Sequence, residues 1–190
     1  MEKLVSGKLK RGAITGEEIL SHREKFRARR KKIQEQYTWS GRKGHGREDA
    51  LKPLRHLYET EKNYRSLVNS RYAKWVVDIA AKNRCGTIHL DAANDANSEK
   101  NILLSRWPVY DLKNKIRRKA EEKGIKVTER SIPNLRARCS HCGQEQETER
   151  EKRMFVCTAC GYGKVDKDRR AGYISADYNA ARNLAVYETG

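Results

Sequence analysis

The sequence predicts an α/β protein that combines a long helical hairpin, a short sheet and a four-cysteine module. Three observations lead to this fold class. Helical periodicity runs through two long segments in the first half of the chain, short strand patterns follow them, and four cysteines stand near the C-terminus as two C-x-x-C pairs. A chain of 190 residues is long enough to bury one moderate core and to carry a small inserted module.

The charge of the chain is strongly positive. Lysine and arginine number 42 against 25 acidic residues, which gives a formal net charge of +17. An excess of this size is larger than solubility requires and favours a polyanionic partner, of which nucleic acid is the first to consider. A lysine-rich solvated surface is the alternative, and charge alone does not distinguish DNA from RNA.

The composition also predicts a compartment. The chain contains neither an apolar run of about eighteen residues nor an apolar stretch behind a basic N-terminus, so we expect no membrane span and no secretory signal. Four of the five cysteines have metal-ligand spacing, which fits a reducing compartment. We therefore expect a cytoplasmic protein in which the fifth cysteine, Cys85, is a small buried hydrophobe.

The N-terminal segment leads into a basic helix. Residues 1–14 show no clear period and are expected to form a loop or an edge strand. A helix is predicted to begin near Thr15, because Glu18 follows it at the spacing of a capping box. We expect its basic surface to contact phosphates, and a plain solvated face is the alternative. The apolar seam is Ile19, Phe26, Ile33 and Tyr37, and the basic residues are Arg23, Lys25, Arg27, Arg29, Arg30, Lys31 and Lys32.

A second helix completes the hairpin. Three glycines within residues 40–46 predict a flexible connector. A longer helical pattern follows from about residue 47 to residue 83, and Pro53 is tolerated because it lies near the first turns. The two helices together predict a basic antiparallel hairpin over residues 15–85. Its aromatic residues are expected to be core and not base-stacking platforms; the apolar series is Leu54, Leu57, Tyr64, Val68, Tyr72, Trp75 and Ile79.

A strand, a helix and a second strand are predicted for residues 86–138. The first strand ends at Asp91, where a polar stretch begins. A helix with Pro108 in its first turn and Gly124 as its stop leads to the next strand, which begins at Ile125. Ligands and metals gather beyond the ends of strands in α/β folds, so Asp91 is a candidate metal ligand. The alternative is that Asp91 only forms a turn.

The four cysteines predict a zinc ribbon over residues 139–162. The runs Cys139-Ser-His-Cys142 and Cys157-Thr-Ala-Cys160 can place four thiolates around one zinc ion. Two disulfides or unrelated thiols are the alternatives. Since a site with four protein ligands has no open position for water, we expect the zinc to be structural and not catalytic.

The surroundings of the cysteines carry further signals. Gly143 and Gly161 each follow the second cysteine of a knuckle, where a tight turn often needs positive φ. The apolar run over residues 154–156 predicts a short strand that leads into the second knuckle. Residues 163–190 are predicted to form a linker and a final helix. Asp177 lies at the N-terminal end of this helix, where the helix dipole favours a carboxylate, and a simple cap is the alternative.

Four stretches of the chain resemble a known family. They resemble the C-terminal half of the RuvC nuclease region of TnpB proteins, which are transposon-encoded, RNA-guided DNA endonucleases, and most closely that of the miniature type V-F CRISPR effectors. The most specific parts are the C-x-x-C-G knuckles and the run Ala-Asp-x-Asn-Ala-Ala-x-Asn-Leu, and the resemblance covers the chain from about Gly16 onward. The stretches are Glu48 to Asp91, Trp107 to Cys142, Cys157 to Tyr162, and Ala176 to Leu184.

The resemblance implies an incomplete RNase H-like (RuvC) domain. In that family three acidic residues hold two Mg²⁺ or Mn²⁺ ions, and a metal-activated water attacks DNA in line. Asp177 matches the third acidic position. Asp91 occupies the second, where the family usually has glutamate, and its shorter side chain weakens the site. Residues 1–13 contain no aspartate for the first position, so the resemblance implies weak or no cleavage by the chain alone.

The function that the resemblance implies is the C-terminal nuclease portion of an RNA-guided DNA endonuclease. It lacks the first catalytic carboxylate, and it is either truncated or completed by an N-terminal partner polypeptide or by a homodimer. Its partners are a guide RNA and DNA, and base pairing carries the sequence specificity. The alternatives are a nuclease-inactive DNA- or RNA-binding protein derived from such an enzyme, and the product of a decaying gene fragment with no role. The expected nucleic-acid contacts are Arg23, Arg27, Arg29, Arg30, Lys31, Lys32, Arg136 and Arg138.

Overall fold

The computed structural model describes residues 17–37, 46–92, 107–145, 154–163 and 174–186. The segment expected to form a loop or edge strand, the glycine-rich connector and most of the linker after the second knuckle lie outside these described residues. The elements, in chain order, are α1 (Glu17–Tyr37), α2 (Gly46–Lys82), β1 (Thr87–Asp91), α3 (Val109–Glu121), β2 (Lys126–Arg130), β3 (Met154–Phe155), β4 (Ile174–Ser175) and α4 (Ala176–Val186).

The helical periodicity of the sequence is confirmed. α1 and α2 begin and end within a few residues of the predicted bounds, and α3 lies between the predicted start and stop signals. β1 ends at Asp91, and Asp177 lies in the first turn of α4, as the sequence predicts. No helix in the described part of the chain is both long and apolar enough to cross a membrane.

Contacts divide the chain into two compact units. Of the described residues, the helical unit comprises 17–37, 46–86 and 107–126, and the ribbon unit comprises 87–92, 127–145, 154–163 and 174–186. The sequence pattern groups α3 with the strands on either side of it. In the structure α3 belongs to the helical unit, where it packs against α2.

In the helical unit, α1 packs against α2 with the two helices antiparallel. Near the start of α1, Arg71 donates hydrogen bonds to the Glu18 carboxylate at 3.2 and 3.3 Å. One turn further along α1, the His22 ring stacks on Tyr64, with ring centroids 4.1 Å apart. Going forward along α1 from Glu18 to His22, the contacting residue on α2 moves back from Arg71 to Tyr64. The two helices are therefore antiparallel, which agrees with the predicted hairpin. The core is Ile19, Val68 and Trp107, with Tyr64, Tyr72 and Val109 packed against it.

One residue of the predicted apolar series does not lie in the core. Trp75 is 37% exposed, so the expectation that it is a core aromatic is wrong. Smaller residues on the same stretch of α2 are buried in its place, namely Ala73, Val77 and Ala80. Small side chains allow close approach of a neighbouring element, and the large indole then lies at the edge of the packed face.

A buried asparagine joins α2 to α3. Asn69 is fully buried, and its Oδ1 accepts a hydrogen bond of 2.9 Å from Trp107 Nε1. Its Nδ2 donates to Asp111 Oδ2 at 2.8 Å and to the carbonyl of Pro108 at 3.0 Å. Burial raises the pKa of Asp111, but the hydrogen bonds from Lys115 and Asn69 outweigh burial and lower the pKa below its ordinary value. The start of α3 is therefore fixed by polar contacts as well as by apolar packing.

The ribbon unit contains the pair of strands β1 and β2. At the ends of the two strands, the Ala92 amide donates to the Arg130 carbonyl at 2.8 Å. In their middle, His89 Nδ1 lies 2.6 Å from Thr128 Oγ1. Partner numbers rise together along the two strands, so the strands run parallel. Helix α4 packs against β1, which brings the last element of the chain onto this sheet.

A second, smaller pair of strands supports the cysteines. β3 pairs antiparallel with β4, with Phe155 opposite Ile174. Phe155 is only 1% exposed, and it packs with two of the cysteines. This strand confirms the prediction made from the apolar run before the second knuckle. The cluster is Cys139, Phe155 and Cys157, with Tyr162 and Ala176 packed against it.

Candidate metal centre and the helix that carries Asp177

The four cysteines of the ribbon unit converge on one point. Their Sγ atoms all lie within 4.8 Å of one another. Cys139 Sγ is 3.8 Å from Cys160 Sγ, and Cys142 Sγ is 3.7 Å from Cys157 Sγ. Zn–S bonds of about 2.3 Å in tetrahedral geometry require sulfur separations of about 3.8 Å, whereas a disulfide requires about 2.0 Å. The four thiols are free, so the disulfide alternative is wrong, and their arrangement fits a tetrahedral zinc ion.

Backbone hydrogen bonds shape both knuckles in the same way. Gly143 N–H donates to the Cys139 carbonyl at 2.9 Å, and Gly161 N–H donates to the Cys157 carbonyl at 3.0 Å. These glycines have φ of +76° and +73°, as their positions in the sequence predict. The two turns bring the sulfurs of one knuckle close to the sulfurs of the other. One cysteine of each knuckle is buried and the other is exposed.

Cys139, Cys157 and Cys160 have shifted pKa values. Burial raises the pKa of Cys157, but backbone N–H groups of Cys160 and Ala159 donate to its sulfur and bring the pKa down to about 7. A backbone hydrogen bond from Tyr162 lowers the pKa of Cys160, but desolvation and the neighbouring thiols outweigh it and raise the pKa to about 12. Burial also raises the pKa of Cys139. A metal that binds all four sulfurs must therefore displace protons from this cluster.

Two asparagines of α4 bind the segment that enters the first knuckle. Asn179 Oδ1 accepts a hydrogen bond of 2.9 Å from the Ser140 amide, and Asn179 Nδ2 donates to the Arg138 carbonyl at 2.7 Å. Asn183 Nδ2 donates to the same carbonyl at 2.7 Å and to the Leu135 carbonyl at 2.9 Å. These two asparagines thus hold the backbone next to Cys139.

Asp177 lies on a different side of α4 from these asparagines, and its side chain is 76% exposed. Its amide donates to Ser175 Oγ at 3.2 Å, which starts the helix. Its Oδ1 accepts a hydrogen bond of 2.8 Å from Nη2 of Arg136, whose side chain is 63% exposed. An exposed carboxylate can bind a divalent cation. In the structure the positive charge next to Asp177 is that of Arg136.

Asp91 is half-buried at the end of β1. It lies in the same unit as Asp177, and α4 packs against β1. Among the described residues, however, only the four cysteines form a group of three or more ligands that could hold one metal ion. The structure therefore brings the predicted zinc ligands together, and it places the two aspartates in one unit without a third acidic partner from the described residues.

The predicted basic surface of α1 is largely exposed. Arg23 differs from the rest of the set, because its side chain is only 11% exposed and lies 3.7 Å from Glu61 on α2. Lys31 forms an exposed ion pair with Glu35 on the same helix at 3.6 Å. Of the two arginines before the ribbon, Arg136 is exposed and Arg138 is half-buried. The exposed cations of the α1 set are Lys25, Arg27, Arg29, Arg30, Lys31 and Lys32.

The two asparagines of α4 belong to the run that carries the resemblance, but sequence reasoning assigned them no role. Asn179 and Asn183 are spaced four residues apart, so they share one helix face, and both are buried. Their spacing of four residues was the signal that the sequence offered, because it places both amides on one face of the helix. The neighbouring contact between Arg182 and the Tyr162 hydroxyl, at 2.6 Å, also joins α4 to the second knuckle.

The chain is similar in sequence to known proteins of two bacteria. No protein-family model matches the chain. The chain is 41% identical over 200 aligned residues to a protein of Syntrophomonas palmitatica named CRISPR-associated endodeoxyribonuclease Cas12f1, and this alignment covers 93% of the chain and 40% of that relative. A protein of the same name from Sulfoacidibacillus thermotolerans is 37% identical over 176 residues, which cover 91% of the chain and 39% of the relative.

Solved structures with a similar fold are also Cas12f proteins. A cryo-EM structure of a Cas12f1–sgRNA–target DNA complex superposes with a TM-score of 0.70 at 23% identity, and the match covers 93% of this chain and 44% of that one. A CRISPR–Cas12f ternary complex superposes with a TM-score of 0.73 at 26% identity, over 91% of this chain and 34% of that one. The chain thus spans less than half the length of the relatives that it matches.

Proposed function

Because the chain matches the C-terminal part of the type V-F CRISPR effectors, the Cas12f1 endodeoxyribonucleases, we propose that it provides the nuclease portion of an RNA-guided DNA endonuclease. One observation carries the proposal. Asp177 is an exposed carboxylate in the first turn of α4, and α4 is joined to a four-cysteine ribbon in a chain 41% identical to an endodeoxyribonuclease. The activity, substrates and partners of the longer relatives are part of this proposal.

The proposed catalytic site is built on Asp177 and Asp91 in an RNase H-like (RuvC) fold. Both residues lie in the ribbon unit, where α4 packs against β1. Carboxylate oxygens are the ligands that Mg²⁺ and Mn²⁺ prefer. When bound, such ions activate a water and stabilise the charge that develops on a scissile phosphate. The two aspartates would hold the ions, and a carboxylate from an N-terminal partner polypeptide or from a second copy of the chain would complete the site.

The four-cysteine site is proposed to bind structural zinc. Its sulfur separations of 3.7 and 3.8 Å fit a ZnS₄ tetrahedron, in which every coordination position is taken by protein. The site therefore has no place for a catalytic water. Its role in the proposed enzyme is to fold the ribbon against α4 and so to support the helix that carries Asp177.

The proposed partners are a guide RNA and DNA. The exposed cations of α1 and the net charge of +17 suit binding to phosphate backbones. Contacts of this kind position a nucleic acid without reading its sequence, so base pairing with the guide would supply specificity. Since Arg23 is held against Glu61, the remaining cations of α1 are the better candidates for phosphate contacts.

A nuclease-inactive DNA- or RNA-binding protein is the second candidate function. Two observations favour it: Arg136 lies on the Asp177 carboxylate, and the position expected to hold glutamate is the shorter Asp91. In this case the basic surface would be kept while the metal-binding carboxylates no longer act. Binding would then be tight at low salt and would weaken steeply as the salt concentration rises.

Cleavage of labelled single-stranded and double-stranded DNA in Mg²⁺ or Mn²⁺ tests the proposal, with the chain fused to the part of the Syntrophomonas palmitatica relative that it does not match, so that the missing carboxylate is supplied. Asp177→Ala is compared with Glu121→Gln, which removes an exposed carboxylate at the end of α3. Cleavage that falls by about a hundredfold or more in Asp177→Ala alone supports the nuclease. Salt-sensitive binding without cleavage that depends on Asp177 supports the second candidate.

A further inference from the structure

The buried face of α4 carries two polar side chains beside the apolar Ala180 and Leu184. Asn179 is fully buried and Asn183 is 6% exposed, and the two lie one above the other on the same face of the helix. Burial of an amide lowers the stability of the fold unless its donors and acceptors form hydrogen bonds. The hydrogen-bond partners of these two side chains therefore decide whether their burial is tolerated. All of these partners are backbone groups in one short segment.

Asn179 makes the more complete set of contacts. It accepts a hydrogen bond from the Ser140 amide at 2.9 Å, donates one to the Arg138 carbonyl at 2.7 Å, and lies 3.4 Å from the Arg136 carbonyl. Asn183 only donates, and it shares the Arg138 carbonyl with Asn179. Asn179 therefore binds the chain on both sides of Cys139, whereas Asn183 binds it on one side.

The conformation of that segment depends on Cys139. The Cys139 amide donates to the Gln144 carbonyl at 2.8 Å, and the Cys139 carbonyl accepts from Gly143 at 2.9 Å. The His141 amide lies 3.4 Å from the Cys139 sulfur, as expected where backbone amides donate to a thiolate. Cys139 is only 1% exposed. A metal ion bound at the four sulfurs would fix this turn, and the turn presents the Ser140 amide to Asn179.

We propose that Asn179 is a positioning residue that couples metal binding at the four cysteines to the folding of α4. A helix of 11 residues is marginal on its own, so α4 depends on its docked face. The dependence is reciprocal by linkage: metal binding stabilises α4, and a docked α4 raises the affinity of the four sulfurs for the metal. Asp177 lies two residues before Asn179, so its position depends on the same contacts.

The coupling concerns folding, and it holds whether or not Asp177 binds a divalent cation. Its failure and the failure of the proposed nuclease are therefore measured separately. Amide hydrogen exchange of the full chain, with zinc and after zinc removal by a chelator, is the first test. Removal of zinc is expected to abolish most of the protection of α4 and to leave α2 and α3 protected. Protection of α4 that survives zinc removal overturns the proposal.

Zinc affinity in variants is the second test. Asn179→Ala removes the side-chain acceptor of the Ser140 amide and one of the two donors to the Arg138 carbonyl, and it is expected to weaken zinc binding roughly tenfold to a hundredfold. Asn183→Ala is expected to cause a smaller loss, because the contact with Ser140 remains. The matched control is Asn114→Ala in the helical unit, where Asn114 Oδ1 accepts a hydrogen bond of 2.8 Å from Arg117 on the same helix.

A spectroscopic readout separates coupling from damage to the ligands. Co²⁺ bound to the Asn179→Ala variant is expected to keep the absorption of a tetrahedral four-thiolate site, at reduced affinity. Hydrogen exchange of α4 in this variant is expected to respond much less to the metal than in the wild type. A zinc affinity equal to that of the Asn114→Ala control contradicts the proposal. If Asn179→Ala does not fold, the wild-type exchange experiment and the Asn183→Ala variant still decide it.

Discussion

Alanine at Gly163 is predicted to disrupt the four-cysteine site far more than alanine at Gly143. Both glycines have positive φ, +88° and +76°, so each substitution carries the strain of a left-handed residue, about 1 kcal/mol. The two positions differ in space. A Cβ at Gly163 would lie 2.2 Å from the Phe155 carbonyl oxygen, whereas at Gly143 the nearest atom is Nη2 of Arg138 at 3.5 Å. The second distance is an ordinary contact, and the first is a collision with backbone.

The free-energy cost of Gly163→Ala follows from how far the Phe155 carbonyl must shift. An oxygen at 2.2 Å has to retreat by about 1 Å, and it belongs to β3, which leads directly to Cys157. Overpacking of this kind costs about 1–3 kcal/mol, which brings the total for Gly163→Ala to about 2–4 kcal/mol. Because metal binding and folding of a small ribbon are coupled, the loss is expected to reduce zinc affinity. We expect a loss of about thirtyfold or more for Gly163→Ala and about fivefold for Gly143→Ala.

Competition with a chromophoric chelator measures these affinities under reducing conditions. The wild type and the two variants are compared at one pH and one salt concentration, and circular dichroism checks that the helical unit remains folded. Equal losses in the two variants, or a smaller loss in Gly163→Ala, would refute the reasoning from the Phe155 contact.

Three further predictions follow from other contacts. Arg136→Gln removes the ion pair with Asp177. Since both side chains are mostly exposed, the ion pair contributes at most about 1 kcal/mol. The affinity of the Asp177 carboxylate for Mn²⁺ should therefore rise no more than about fivefold. Titration followed by Mn²⁺ electron paramagnetic resonance measures this, and a much larger gain would show that Arg136 blocks the site. Zinc affinity should fall more steeply once the pH drops below about 7, because Cys157, whose pKa is lowered to about 7, then adds its proton to those that zinc must displace from Cys139 and Cys160. Apparent zinc affinities at several pH values test this, and a flat profile around neutral pH contradicts it. Asn69→Ala should lower the free energy of unfolding of the helical unit by about 2–4 kcal/mol, because Trp107 Nε1 loses its buried acceptor. Urea unfolding followed by tryptophan fluorescence measures the change, and a loss below about 1 kcal/mol would mean that water replaces the amide.

The helices were predictable because their signals are local. Apolar residues at helical spacing predicted α1 and α2 to within a few residues, and the start and stop signals Pro108 and Gly124 enclosed α3. The two C-x-x-C pairs likewise predicted the convergence of four sulfurs, since the spacing within each pair nearly fixes the geometry of a knuckle. In each case the interacting groups lie close together in the sequence.

The features that were missed depend on distant partners. Arg23 belongs to a run of cations in the sequence, but it lies against Glu61, which is on another helix. Asn179 binds backbone groups about forty residues earlier, and backbone groups leave no mark in a sequence. Trp75 fits the helical period, but periodicity does not specify which residue of a broad apolar arc is covered. Long-range packing therefore decided these positions.

The central claim is that this chain carries the nuclease portion of an RNA-guided endonuclease, and a chimera tests it most directly. The chain replaces the matching 40% of the Syntrophomonas palmitatica relative, and cleavage of target DNA is measured with guide RNA and Mg²⁺. The account predicts guide-dependent cleavage that is lost in Asp177→Ala and kept in Glu121→Gln. A chimera that binds guide RNA and target DNA but does not cleave, or that cleaves equally well with Asp177→Ala, would contradict the account.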